Sequence, residues 1–306
     1  MTAVEETIPA ALDGERVDRV VAMLTAVTRS EASSILADGG VLVDGHEVTK
    51  GSIKVREGQR VRIVLPDVPE GPLVAPDASI DLRVVHEDDD VVVIDKPAGL
   101  VVHPGAGNLD GTLVNALVAR YPEIVDVGEP ERPGIVHRID KGTSGLLAVA
   151  RTPRAYDALV AALSAHDVER EYLALVWGRP EATHGVVDAA IGRSGRDPTR
   201  MAVSNRGRHA RTHYEVVRTF DNPVPLALVR CRLETGRTHQ IRVHMAAIGH
   251  PVVGDDRYGG ARSPVPVDRP FLHAARLSFA HPVTGEPVEA TSPLPADLEA
   301  VLGTLG

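Results

Sequence analysis

Residues 137–150 combine charged side chains with an apolar run, and no other segment of the chain is as well suited to chemistry. Asp140 stands between Arg138 and Lys141, a few residues before the strand-like run Gly145–Ala150. Positive charge close to a carboxylate favours its ionised form and lowers its pKa. The two interpretations are an ion pair in a loop and a carboxylate that acts on a substrate.

Histidine spacing does not indicate a metal site. His209 and His213 stand four residues apart, but no Glu completes a ligand pattern and the segment is predicted as loop and strand. His239 and His244 are five residues apart and would not share a helix face well. The chain also contains no phosphate-binding glycine loop and no dinucleotide fingerprint. We therefore expect no metal and no cofactor.

A glycosidase needs two carboxylates that flank the bond to be broken. Asp140 is the only carboxylate in the sequence with a setting suited to acting on such a bond. The acidic cluster at residues 87–90 is predicted to be a solvated turn between strands and does not supply a second one. A single carboxylate suits a reaction in which nothing is hydrolysed and the leaving group returns to the same sugar.

The segment from His137 to Leu147 resembles the active-site motif of the RluA-type pseudouridine synthases, with Ile139 in place of the usual Leu. Residues 94–104 and the helix predicted at 111–117 resemble the first motif of that family, residues 171–178 the tyrosine motif, and residues 233–245 the Gly-Arg-Thr-His-Gln-Ile-Arg motif. Lys96 and His103, in the first of these, would by themselves be surface and turn residues, and we expect structural roles for them.

The resemblance implies isomerisation of uridine to pseudouridine in RNA. Asp140 would act at the ribose, Arg237 would pair with Asp140, Tyr172 would stack on the extruded uracil, and Arg138 would fill the gap that the base leaves. The further RNA-binding or base-binding candidates in the same motifs are His137, Thr143 and Arg242.

The N-terminal region has the pattern of a small separate module. Apolar residues from Val17 to Val27 follow helical spacing, Thr28 and Glu31 form a capping box for a second helix, and residues 41–48 predict a hairpin with Asp-Gly at its turn. The module resembles the S4 RNA-binding domain, and its expected RNA-binding residues are Arg16 and Arg29. With 8 basic and 7 acidic residues between positions 15 and 65, its affinity for RNA is expected to be weaker than usual.

We predict an S4-like domain at residues 1–66, a proline-rich linker at 67–79 and a catalytic domain at 80–306. The catalytic region alternates short strands with helices around 112–120, 153–166 and 238–248, and residues 192–211 predict a polar, arginine-rich loop or ribbon. The expected fold class is α+β, and the resemblance implies a mixed, mostly antiparallel central sheet flanked by helices.

Charge distribution permits a nucleic-acid partner despite the net charge of −9. Residues 191–262 carry 13 Arg, no Lys and 6 acidic residues, a local charge of +7, which leaves −16 for the rest of the chain. Cys231 is the single cysteine, so an internal disulfide is excluded. With no long apolar run and no leader pattern, we expect a cytoplasmic protein that does not associate with membranes. A monomer is also expected.

The function expected from the sequence is an RNA pseudouridine synthase acting on ribosomal RNA of the large subunit or its precursor. Residues 103–107 and 201–203 look most like family members that modify large-subunit RNA. The alternative is a non-catalytic S4-type RNA-binding or ribosome-assembly factor. A metal-dependent nuclease or deaminase is a third interpretation that lacks ligands.

Overall fold

A computed structural model of the chain describes residues 2–65, 74–105, 107–265 and 267–306. The chain divides into two compact units, Met1–Gly71 and Pro72–Gly306. Residues 67–73 of the predicted linker at 67–79 lie outside the described residues. Its described part belongs to the larger unit, since Val74 is buried in that unit's core and the Ala75 carbonyl accepts a hydrogen bond from Asn115 Nδ2 at 2.7 Å.

The smaller unit packs two helices against a four-stranded antiparallel sheet with the order β1-β4-β2-β3. Its elements are β1 (Thr2–Thr7), α1 (Val17–Thr25), α2 (Arg29–Ala37), β2 (Val41–Val43), β3 (His46–Glu47) and β4 (Arg60–Leu65). The capping box is confirmed, because Thr28 Oγ1 accepts from Glu31 N and the Glu31 carboxylate accepts from Thr28 N. The hairpin is also confirmed, with Asp44 and Gly45 both at positive φ, as a type I′ turn requires. Strand β1 was not predicted.

The larger unit is built on a nine-stranded sheet with helices packed against it. The sheet strands are β5 (Val84–Glu87), β6 (Val91–Lys96), β7 (Ser144–Ala150), β8 (Glu169–Trp177), β9 (His184–Asp188), β12 (Arg211–Phe220), β13 (Leu226–Leu233), β14 (Leu272–Ala280) and β15 (Pro287–Thr291). The other elements are the ribbon strands β10 (Ile191–Arg193) and β11 (Met201–Val203), and the helices α3 (Leu113–Arg120), α4 (Pro153–Ala165), α5 (Gln240–Ala247) and α6 (Ala296–Gly303). The predicted helices and strands are present, with boundaries shifted by one or two residues.

Strand order in this sheet is β5-β6-β7-β14-β8-β13-β12-β9, with β15 beside β14. Every pairing is antiparallel except that of β7 with β14. The predicted mixed, mostly antiparallel sheet is therefore confirmed. One apolar core lies around β6, β7, α3 and α4, and a second lies around β8, β13, α5 and α6.

The two halves of the sheet meet where β7 begins, immediately after the Asp140 turn. Ser144 and Gly145 pair with His273 and Ala274 of β14 over two residues only. Gly145 has φ +109°, and a Cβ atom there would lie 2.2 Å from the Ala274 carbonyl oxygen. Only glycine allows this approach, so the chain is fixed against β14 a few residues beyond Asp140.

Two surface predictions have different outcomes. The arginine-rich segment forms the antiparallel ribbon β10-β11. The acidic turn is not fully solvated, because Asp90 is buried and accepts hydrogen bonds from Thr152 and Arg154, so that prediction is wrong for Asp90.

Among the described residues, none of the helices combines the length and hydropathy needed to span a bilayer.

Candidate active site

Asp140 lies in the turn before β7, with its side chain 15% exposed. The turn is closed by a hydrogen bond from Thr143 N to the Asp140 carbonyl at 3.0 Å. Asp140 lines both an open cavity of about 1060 Å³ and a small adjoining pocket of about 40 Å³. The carboxylate is therefore accessible from one side and enclosed by protein on the other.

Arg242, and not Arg237, is the partner of Asp140. Arg242 Nη1 donates to Asp140 Oδ2 at 3.1 Å, whereas Arg237 Nε donates to the His209 carbonyl at 2.9 Å. The expected Arg237–Asp140 pair is therefore wrong. Arg237 lies in the turn before α5, where its guanidinium bonds to the His209 carbonyl, and Arg242 lies in the first turn of the helix, where Asp255 holds it. Both side chains, with Tyr172, line the small pocket beside Asp140.

A buried carboxylate holds Arg242 from its other side. Asp255 is fully buried and accepts from Arg242 Nε at 2.6 Å and from Nη2 at 2.9 Å. Asp255 Oδ1 also accepts from the backbone N–H groups of Arg257 and Tyr258. Burial acts to lower the pKa of Arg242, but the bond to Asp255 and the charges of Asp140 and Asp255 outweigh it and raise that pKa. Arg242 is therefore a permanently charged bridge between two carboxylates.

His239 and Tyr258 complete the wall on this side of Asp140. His239 Nδ1 lies 2.8 Å from the Tyr258 hydroxyl, and His239 Nε2 lies 4.0 Å from Asp140 Oδ1. Burial lowers the pKa of His239. The imidazole is therefore neutral at neutral pH. Asp255, His239 and Tyr258 are members of the site that were not predicted from the sequence.

Tyr172 projects from β8 toward Asp140 and is 6% exposed. Burial raises the pKa of its hydroxyl to about 12, so the phenol is protonated at neutral pH. The pocket between the two side chains, about 40 Å³, is close to the space that one water molecule occupies. A uracil can stack on this ring only if the surrounding side chains move apart.

Lys96 is the largest departure from expectation among the motif residues. It is fully buried, and its Nζ donates to the carbonyls of Pro97 and Leu100 at 2.8 Å each. The expected surface position is wrong, because β6 is buried along its whole length. Burial lowers the pKa of Lys96 to about 7, the charge of Asp140 acting to raise it and that of Arg269 to lower it further.

The other motif residues differ in accessibility. Arg138 is exposed at the cavity rim, with Nη1 3.3 Å from His103 Nε2. His137 is turned inward, where Nε2 accepts from Ala148 N at 3.0 Å, and burial lowers its pKa to about 3, so it is uncharged. Thr143 is 2% exposed, and its enclosed hydroxyl has no described partner. Of the three, only Arg138 offers an accessible positive charge.

In the smaller unit, the two predicted RNA-binding arginines share one carboxylate. Arg16 Nη2 lies 2.8 Å and Arg29 Nη2 3.4 Å from Asp18 Oδ2, and Asp18 is 4% exposed. The arginine side chains are 47% and 61% exposed. The carboxylate therefore holds two accessible guanidinium groups near each other on the surface of this unit.

Two models of known protein families match the chain. Residues 90–247 match the model of the RNA pseudouridylate synthase family, and residues 15–61 match the S4 domain. The chain belongs to the RNA pseudouridine synthases and carries an S4 domain. It is therefore an isomerase that acts on RNA.

Relatives match over nearly the whole chain. The ribosomal large subunit pseudouridine synthase D of Xanthomonas campestris is 46% identical, over 98% of this chain and 92% of the relative. An uncharacterized RNA pseudouridine synthase of Chloroflexus aurantiacus is 47% identical, over 97% and 92%. Among solved structures, human RNA pseudouridylate synthase domain containing 1 has a TM-score of 0.58 and 29% identity, covering 74% of this chain and 90% of that one.

Proposed function

We propose that this enzyme isomerises specific uridines of large-subunit ribosomal RNA, or its precursor, with Asp140 as the catalytic group and without a cofactor. The observation that carries the proposal is the placement of Asp140, held by buried Arg242 at the edge of an open cavity and beside the ring of Tyr172. The names of the relatives with nearly full-length matches support the choice of RNA.

The first step is extrusion of the uridine from its helix, which costs a few kcal/mol. In this proposal Arg138, which is exposed at the cavity rim, fills the gap in the helix. Tyr172 stacks on the extruded uracil, and stacking on an aromatic ring contributes about 1 to 3 kcal/mol per base. Contacts of this kind can offset most of the cost of extrusion.

Asp140 then acts at the ribose. Arg242 fixes Oδ2, while Oδ1 accepts no hydrogen bond from the described residues and is free to react. Oδ1 either attacks C1′, forming a bond that breaks again when C5 bonds to C1′, or removes the C2′ proton to give a glycal and returns that proton to C2′ when C5 bonds to C1′. In both routes the C1′–N1 bond breaks, the uracil turns, a C1′–C5 bond forms, the C5 proton is lost and N1 gains a proton. A fixed, correctly oriented carboxylate lowers the barrier in either case.

In this proposal the enzyme works as a monomer in the cytoplasm, where ribosomal RNA is assembled, and does not bind membranes. Pseudouridine mapping of ribosomal RNA from a strain that lacks the protein identifies the target uridines. A single sedimenting species of the monomer mass is the expected result in solution.

Replacement of Asp140 by Asn should abolish release of tritium from uracil C5 while RNA affinity stays within a few fold. The amide keeps the shape of the side chain but cannot act as nucleophile or base. The matched control is Asp157→Asn, an exposed carboxylate on α4 with no ion pair among the described residues. An Asp140→Asn enzyme with near-normal release would assign catalysis to another group.

A further inference from the structure

A second concave surface adjoins the active-site cavity. It has a volume of about 640 Å³, and we call it the arginine groove after four of its lining residues, Arg138, Arg170, Arg208 and Arg237. Arg138 also lines the large cavity beside Asp140, and Arg237 also lines the small pocket. The groove therefore shares at least one lining residue with each of the two cavities that Asp140 lines.

The four arginines that name the groove have no carboxylate partner among the described residues. Arg170 is 6% exposed and donates to the Glu234 carbonyl at 3.1 Å, and its enclosed Nε has no partner in the described part of the chain. Arg237 bonds to a carbonyl, and the exposed side chain of Arg208 has no hydrogen bond or ion pair with the described residues. Glu129 is the one carboxylate in the lining, and it is bound to Arg132, with 2.8 Å from Nε to Oε2.

These cations act on one another. The pKa of Arg170 is lowered by burial and then by the charge of Arg237, and the pKa of Arg237 is lowered by burial and then by the charge of Arg208. Repulsion between these cations is unfavourable in the folded protein. The cations are clustered in the groove although the chain as a whole has more acidic residues (42) than basic residues (33). A cleft lined by one sign of charge over a buried floor concentrates its field on an anion.

We propose that the arginine groove binds the sugar-phosphate backbone of the RNA beside the target uridine, with Arg208 and Arg237 contacting phosphates above the charge of Arg170. This inference rests on the proposed function, because the strand that enters the groove is the one whose uridine reaches Asp140. Phosphate contacts fix register and carry no base preference. The groove therefore positions the strand, and the choice of uridine is made elsewhere.

The test is the salt dependence of binding between full-length protein and large-subunit ribosomal RNA transcribed without modification. Loss of one phosphate contact lowers the slope of log affinity against log salt by about 0.7 to 0.9. We expect Arg208→Gln to lose this amount of slope and to bind several-fold more weakly at moderate salt. Arg208→Lys, which keeps the charge, should retain most of both. Circular dichroism checks that each variant is folded.

Arg232→Gln is the matched control, because Arg232 is exposed and has no described ion pair. Its neighbour on β13, Cys231, is in register with Tyr172, and successive side chains of a strand point to opposite faces, so the Arg232 side chain faces away from the site. It should bind RNA as the parent does. If Arg208→Gln matches Arg232→Gln in slope and affinity, the groove does not hold phosphate, whatever the activity of the parent. If Arg208→Gln lowers the slope but the parent forms no pseudouridine on this RNA, phosphate binding by the groove is supported and the proposed substrate is wrong.

Discussion

At the scale of single residues, the site is a chain of contacts in which each group holds the next. Asp255 holds Arg242, and Arg242 holds Asp140. A buried guanidinium between two carboxylates is costly to disturb, because removal of one partner leaves a buried charge uncompensated. Asp255 is thus a positioning residue that acts on the reaction through Arg242.

Replacement of Asp255 by Asn should lower kcat at least tenfold while KM changes by only a few fold. The amide keeps the volume but removes the charge that orients Arg242, so the Asp140 carboxylate loses its fixed direction. Steady-state tritium release measures both constants. Asp167→Asn, an exposed carboxylate with no ion pair in the described chain, serves as control. A variant in which only KM changes would indicate a role in binding RNA.

Tyr172→Phe should retain most activity, whereas Tyr172→Ala should lose about 10- to 100-fold, because stacking contributes about 1 to 3 kcal/mol per base. No described hydrogen bond is made by the Tyr172 hydroxyl, so the Phe variant leaves no partner unsatisfied. Single-turnover rates of both variants decide the matter. Equal losses would assign the effect to the hydroxyl.

At the scale of elements, the position of Asp140 depends on how β7 and β14 meet and on where α5 begins. The two strands pair in parallel over two residues, with Gly145 at the closest approach. Helix α5 begins two residues later than its sequence pattern predicts, at Gln240, whose Oε1 accepts from Arg237 N and from Thr235 Oγ1. Arg237 therefore lies in the turn before the helix, and Arg242, in its first turn, reaches Asp140.

Replacement of Gly145 by Ala should destabilise the larger unit by about 1 to 3 kcal/mol, the usual cost of overpacking, because the added methyl group meets the Ala274 backbone. Urea unfolding followed by Trp177 fluorescence reports on this unit, since Trp177 is the single tryptophan and lies on β8. Gly303→Ala, in α6 with open space around the site, should be neutral or slightly stabilising. Comparable stability of the two variants would mean that Gly145 does not approach the Ala274 backbone closely.

At the scale of the whole molecule, the two units differ in what they can offer RNA. All nine aromatic residues lie between positions 121 and 279, in the larger unit, and the S4 unit has none. Bases can therefore stack on aromatic rings only in the larger unit, and the S4 unit is limited to polar contacts such as those of Arg16 and Arg29. We therefore expect the S4 unit to contribute polar contacts and the larger unit to contribute base stacking.

Lys96 should give the stability of the larger unit a distinctive pH dependence. Its pKa is about 7 when folded and near 10.5 when unfolded, so between these values the unfolded chain binds more protons and stability rises with pH. Relative to Lys96→Met, the free energy of unfolding of the wild type should rise by up to ~1.4 kcal/mol per pH unit between pH 7 and 10. Urea titrations followed by Trp177 fluorescence measure this difference. Parallel curves for the two proteins would show that Lys96 keeps an ordinary pKa.

Features that depend only on neighbouring residues were predictable from the sequence. The capping box at Thr28, the Asp44–Gly45 hairpin, the strand and helix patterns and the motif around Asp140 follow from local geometry and spacing. The same motifs indicated the family, and the strand and helix pattern indicated the α+β fold. Each of these signals is complete within a few residues, so no knowledge of long-range contacts was needed.

Contacts between distant residues were not predictable from the sequence. Arg242 lies 102 positions from Asp140 in the chain, and it meets Asp140 where Asp255 holds its guanidinium, while Arg237 bonds to the His209 carbonyl. The burial of Lys96 and Asp255 depends on strands and loops packing from several parts of the chain. Whether an acidic or basic side chain is ionised, paired or isolated depends on the groups around it in space, and the order of residues along the chain does not contain that information.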